Sequence, residues 1–267
     1  MLCPVHDLLK TALIPEKFDV MMKAMKEYDN YIFDLYGTLV DIHTDEIRPS
    51  FWKKVCDIYE SYGAVYTYRE LKDAYLSKVE EFERDLRRSE KDAEIDLHAV
   101  FSFLYEQKGV KADKEMIKQT AVAFREASIC HIRLYAGATE LLKMLHEHHK
   151  KVFLLSNAQE LFTVKELEDL MIKDLFDDIF ISSACGVKKP GKKFFKALMD
   201  KWDLDKDSCL MIGNDLFSDA KGAMNAGIDS YYIHCGLSPK KPCSFKATYE
   251  QDHMDLKLLK RRILNSF

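Results

Sequence analysis

Tyr31-Ile32-Phe33-Asp34-Leu35-Tyr36-Gly37-Thr38-Leu39-Val40 opens with an apolar run that contains a carboxylate and breaks at a glycine. A short apolar run closed in this way predicts a strand over Tyr31–Leu35 that is covered on both faces. Four later runs have the same character: Lys151–Ser156, Asp178–Ser182, Ser208–Gly213 and Asp229–His234. Helical patterns lie between them. Leu141, Leu142 and Leu145 recur at helical spacing in Ala138–His149, and Lys193–Trp202 and Asp219–Asn225 also fit helices. Strands that alternate with helices predict an α/β fold built on a doubly wound parallel sheet.

The stretch from Asp45 to Tyr135 breaks this alternation. Phe51–Tyr62, Tyr68–Arg88, Asp96–Gln107 and Lys114–Ile129 all carry helical periodicity, with almost no strand signal. The expected organisation is a core from residues 1–44 and 136–267 with a helical insert over 45–135. Residues 1–28 are expected to form an N-terminal helix packed on that core. The 267 residues carry a net charge of −4, which gives no sign of a nucleic-acid surface. No apolar run is long enough to span a bilayer, and the first ten residues lack the layout of a signal peptide. The seven cysteines (Cys3, Cys56, Cys130, Cys185, Cys209, Cys235, Cys243) are scattered and form no Cys-x-x-Cys pair. They read as reduced structural thiols of a cytoplasmic protein.

In open α/β sheets ligands bind beyond the carboxyl ends of the strands. At those predicted ends stand Asp34 and Thr38, then Ser156 and Asn157, then Lys188 and Lys189, then Asn214, Asp215 and Asp219. Each alone has a structural explanation: an aspartate before a glycine suits a turn, and Ser156, Asn157 or Asp219 suits a helix cap. Taken together, three carboxylates, hydroxyls and a lysine would converge on one crevice, where a small-molecule substrate would bind.

The segments FDLYGTLV, FLLSN, GVKKPGKKFF and MIGNDLFSDAKGAMNAG, in that order, resemble the four motifs of the haloacid dehalogenase superfamily. The resemblance implies a Rossmann-like core with a helical cap inserted after the first motif, where residues 45–135 fall. It also implies roles. Asp34 matches the covalent nucleophile, and Lys189 the lysine that orients and partly neutralises it. Thr38, Ser156 and Asn157 match the region that holds the transferred group. Asp34, the Tyr36 carbonyl, Asp215 and Asp219 match the set that holds Mg²⁺, directly or through water. The chemistry agrees, because a carboxylate attacking an anionic phosphoryl group needs a cation and a lysine to remove the repulsion.

Two features depart from the phosphatase pattern. Tyr36 stands where most phosphatases of the superfamily carry the general-acid aspartate, and Asn214 stands where many relatives have aspartate. The DLYGTL string resembles the 2-haloacid dehalogenases, which need no metal. The remainder of their pattern is poorly matched: Phe195 replaces a tyrosine, and their cap arginine falls near Leu76, with Arg69 and Arg84 nearby. The acidic pair Asp215 and Asp219 points to a divalent cation, and so to a Mg²⁺-dependent phosphohydrolase. A metal-independent 2-haloacid dehalogenase and a non-catalytic phosphate-binding protein are the alternatives. Asp41 or His43 could replace the missing acid. Tyr66, Thr67 and Tyr68 could line the crevice, while Tyr75 reads as helix packing. His146, His148 and His149 read as an exposed helix end.

Overall fold

The computed structural model describes residues 24–240 and 244–267. In chain order the elements are β1 (Asn30–Phe33), β2 (Val40–Thr44), α1 (Pro49–Ser61), α2 (Tyr68–Ser89), α3 (Leu97–Glu106), α4 (Lys114–Ser128) and β3 (Ile129–Leu134). Next come α5 (Ala138–Glu147), β4 (Lys151–Ser156), α6 (Glu160–Asp169), β5 (Asp178–Ile181), α7 (Ser182–Cys185) and α8 (Lys192–Trp202). The chain closes with β6 (Cys209–Gly213), α9 (Lys221–Ala226), β7 (Asp229–Ile233), β8 (Tyr249–Gln251) and α10 (Leu256–Leu264).

Six strands form a parallel sheet in the order β5-β4-β1-β6-β7-β8, which bears out the predicted α/β class. The strands are apolar throughout because successive side chains point to opposite faces and both faces are covered. Tyr31, Phe33, Val152, Leu154, Leu210 and Ile212 pack on one face with Leu141, Leu145, Leu259 and Ile263 of α5 and α10. Ile32, Phe153, Leu155, Cys209 and Met211 pack on the other with Phe194, Phe195 and Leu198 of α8.

The helices α1–α4 enclose an aromatic core of their own, in which Phe51, Trp52, Tyr59, Phe101 and Phe124 are buried. Phe124 meets Phe51 edge to face at 5.0 Å and Phe101 at 5.4 Å. Their ends are set locally. Thr67 caps α2 through a reciprocal pair with Glu70, and Asp96 and Asp113 cap α3 and α4.

The structure departs from expectation in the following ways. β1 stops at Phe33, which puts Asp34 just beyond the strand end. Residues 129–134, read as the end of the helical insert, form β3, which pairs antiparallel with β2. Their apolar side chains alternate with exposed ones, a signal too short to separate from helix. Residues 24–28 are not helical, and the rest of the expected N-terminal helix, residues 1–23, lies outside the described residues.

Candidate active site

Asp34 is fixed through its backbone, whose N–H donates to the Ile212 carbonyl of β6 at 2.9 Å. The chain then turns tightly. Gly37 has φ +83°, and a Cβ there would lie 2.2 Å from the Asn214 side chain, so only glycine fits. This turn places Asp34 at the carboxyl edge of the sheet, beside the ends of β4 and β6.

Lys189 is buried at the centre of the site. Its Nζ donates to Oδ1 of Asp34, Oδ1 of Asp219 and the Leu155 carbonyl, each at 2.7 Å. All three ammonium protons are therefore matched. Burial disfavours the Lys189 charge, but the two carboxylates outweigh it and raise its pKa. For Asp219, burial and the charge of Asp34 win over Lys189 and push its carboxyl upward. The other Asp219 oxygen accepts from the Asp215 N–H at 3.0 Å.

The hydroxyls of Thr38 and Ser156 donate to Oδ2 and Oδ1 of Asp34 at 3.4 Å each. These contacts are long, so both hydroxyls are loosely held. Asn157 has a structural partner in addition to its place on the wall of the adjoining cavity. Its side chain donates to the Lys189 carbonyl at 3.0 Å and accepts from the Lys189 N–H at 2.8 Å. It grips the backbone that presents Lys189, and both ends of its amide are engaged there. Asp215 caps the turn after β6, accepting from the Phe217 N–H at 2.8 Å.

The oxygen donors that the sequence suggested for a metal suit a hard cation such as Mg²⁺. Two carboxylates against one lysine also leave Asp34, Asp219 and Lys189 with a net negative charge. Among the described residues, however, no three His, Cys, Asp or Glu side chains are gathered closely enough to hold a metal by themselves. Asp219 is committed to Lys189 and the Asp215 backbone. Asp34, the Tyr36 carbonyl and Asp215 would be the direct ligands of such a cation, since Asp219 is engaged elsewhere.

Tyr36 does not offer a proton to this centre. Its hydroxyl donates to Glu166 and lies 3.1 Å from the Thr163 hydroxyl, both on α6. Burial and the Glu166 charge hold its pKa well above the ordinary phenol value. Arg125 of α4 stacks over the rings of Tyr36 and Phe162, at 5.4 and 4.7 Å, and pairs with Glu166 at 2.6 Å. This pair ties the helices to α6. Sequence reasoning missed it because the two charges lie 41 residues apart and only the fold brings them together.

A cavity of about 550 Å³ adjoins the site, lined by Tyr36, Ile42, His43, Glu94, Arg125, Asn157, Phe162 and Leu237 among others. His43 thus faces the cavity. Asp41 is turned aside and held by Arg133, at 2.9 and 2.7 Å, and by His131. Burial raises the Asp41 pKa, but these hydrogen bonds outweigh it and lower the net value, so Asp41 is no source of protons near neutrality. The aromatic candidates belong to helix packing. Tyr66 donates to the Leu104 carbonyl, Thr67 is a cap and Tyr68 lies against Lys53 and Arg69. Tyr75 is buried, as expected.

A strand-end aspartate joined to a buried lysine, on a parallel sheet with helices inserted after the first strand, defines a class of α/β hydrolase. The chain belongs to the haloacid dehalogenase-like hydrolases, whose family model matches residues 31–233. It is 26% identical over 136 residues to a glyceraldehyde 3-phosphate phosphatase of Pyrococcus abyssi, covering 51% of this chain and 57% of that one. It is 25% identical over 227 residues to YfnB of Bacillus subtilis, named as a HAD-hydrolase, covering 85% and 92%. A crystal structure of YfnB, described as bound to magnesium, superposes with a TM-score of 0.54 at 22% identity over 90% of this chain and all of that one. A 2-haloacid dehalogenase from Pseudomonas syringae superposes with a TM-score of 0.61 at 16% identity, covering 90% and 99%. The fold is therefore shared by phosphatases and dehalogenases alike. No helix among the described residues is long and apolar enough to cross a membrane.

Proposed function

We propose that the chain is a Mg²⁺-dependent phosphohydrolase acting on a small organic phosphate, with Asp34 as nucleophile. The observation that carries this reading is the buried Lys189 ammonium held at 2.7 Å between Asp34 and Asp219, beside the strand-end residues Tyr36 and Asn157 that line the cavity. Lys189 engages Oδ1 of Asp34, so Oδ2 is the oxygen left to attack phosphorus. Thr38 and Ser156, only loosely held, can turn their hydroxyls toward the transferred group. Asn157 keeps Lys189 in place while charge moves through the site. A bound Mg²⁺ supplies neutralisation of the phosphoryl oxygens. Similarity to a relative named as a phosphatase and to one whose structure holds magnesium supports the reading.

The helices α1–α4 act as the cap in this reading, with Arg125 and Glu94 bringing their side of the cavity to the core. A halide-displacing site would need a cation or donors above Asp34 to receive the leaving halide. Arg125, the arginine of the cavity wall, is already paired with Glu166. The test is product release from phosphate esters, acetyl phosphate and 2-chloropropionate, with and without Mg²⁺. Phosphate release that requires Mg²⁺ is the expected result, and halide release without metal would replace this reading by the dehalogenase.

A further inference from the structure

The charges that line the cavity beside Asp34 are already matched from within the protein. Arg125 is closed off by Glu166 at 2.6 Å, with both side chains largely buried. Glu94 presents a carboxylate to the same cavity, held by Lys188 at 3.2 Å and by the Ser182 hydroxyl at 2.9 Å. Lys189, buried behind the lining, is divided between Asp34 and Asp219. The wall left to receive the organic part of a substrate is apolar and partly flat, formed by Tyr36, Phe162, Ile42 and Leu237.

A second anionic group on the substrate would have to leave water without an unpaired cation among the described lining residues. It would also stand near the carboxylate of Glu94. An ion buried without a partner is costly, and like charges across a binding site disfavour the wrong ligand. An uncharged ring or short chain would instead lose apolar surface against Tyr36 and Phe162, at a gain. The volume, about 550 Å³, is that of an ordinary small-molecule site.

Resting on the phosphohydrolase reading, we propose that the substrate class is phosphate monoesters whose organic part bears no second negative charge and offers an apolar or flat face. The pair Arg125–Glu166 sets this preference. Glu166 prevents Arg125 from acting as a receptor for a substrate carboxylate, although the guanidinium sits in the cavity wall.

The experiment compares kcat/KM for uridine 5′-monophosphate and phosphoglycolate, with p-nitrophenyl phosphate as reference. Assays run with Mg²⁺ at one fixed pH for all three esters. Wild type should favour the nucleotide by about 10- to 100-fold, the penalty of an unmatched charge. Glu166→Gln keeps the shape and releases Arg125, so the ratio should move toward phosphoglycolate by about tenfold. Loss of a buried counter-ion can unfold a chain. Glu94→Gln, which removes the wall's negative charge, is therefore measured alongside, with a melting curve for each variant, and should move the ratio the same way. Equal or better use of phosphoglycolate by wild type would overturn the proposal, as would folded variants that leave the ratio unmoved. Absence of phosphate release from all three esters would instead overturn the phosphohydrolase reading itself.

Discussion

Lys189 and Asp34, 155 residues apart in the chain, meet through an Nζ–Oδ1 contact of 2.7 Å. The contact depends on the negative charge of Asp34, and so does attack on phosphorus. Asp34→Asn keeps the shape but loses the nucleophilic oxygen. Turnover should fall by several orders of magnitude, while circular dichroism shows an intact fold. Near-normal activity in this variant would defeat the covalent mechanism.

Divalent-cation binding should be visible without turnover. A ligand that binds only the folded site raises the melting temperature. Mg²⁺ should do so for wild type, and Asp215→Ala should lose much of the shift. Calorimetry that detects no Mg²⁺ binding to wild type would count against the metal-dependent reading.

Gly213 ends β6 directly beneath Asp219. A Cβ there would lie 2.1 Å from Oδ2 of Asp219. Gly213→Ala must therefore displace that carboxylate, and Lys189 with it. Displacements of this size cost about 10²-fold in rate. Steady-state kinetics should show the loss mainly in kcat; an unchanged kcat would mean that Asp219 is dispensable.

Tyr36 is held by Glu166 and stays a neutral phenol across the working range. Tyr36→Phe should therefore leave the pH profile of kcat unmoved while lowering the melting temperature, because Glu166 loses a donor. Without an acid at this position, p-nitrophenyl phosphate and acetyl phosphate should outpace alkyl phosphates. General acids ordinarily contribute about 10² to 10⁴ in rate. Equal rates on aryl and alkyl esters would point to His43, on the cavity wall, as the proton source.

Asp178 at the start of β5 accepts from the Trp202 indole at 2.7 Å and pairs with Lys201 at 2.6 Å. Burial raises its pKa, but these bonds outweigh it, and the net shift is downward. A depressed carboxylate stabilises the fold above its unfolded pKa, about 3.9, and that stability is lost as pH falls through the lower folded value. The melting-temperature gap between wild type and Asp178→Asn should be full near neutrality and should shrink below about pH 4. A gap independent of pH would mean that the Asp178 charge contributes nothing.

The central strands were legible because a strand covered on both faces must be apolar at every position, as Phe153-Leu154-Leu155 is. The residues at their ends followed from the topology. The ribbon was not legible: in β2, polar Asp41 and His43 alternate with Val40 and Ile42, and the run is too short to distinguish from loop. β8 has three residues, fewer than any periodic signal needs. Arg125 on a helical pattern and Glu94 between two of them look like ordinary surface charges, and only the fold brings them to Glu166 and Lys188. Asn157 lines the cavity and also holds the Lys189 backbone. Its amide could reach either a ligand or a backbone, and sequence cannot choose between them.

The ribbon of β2 and β3 carries the chain into the helical block and back out again. Its two strands are hydrogen-bonded neighbours, Val40 opposite Leu134 and Ile42 opposite Ile132, so the point of departure and the point of return lie about 5 Å apart. A segment attached through so narrow a doorway is interchangeable in principle. Thr44 and Ile129 could be joined by a short turn, or by a different set of helices, without moving a strand of the six-stranded sheet. The same doorway lets selection rework the cavity roof as a cassette, while Asp34 and Lys189 stay where the sheet holds them.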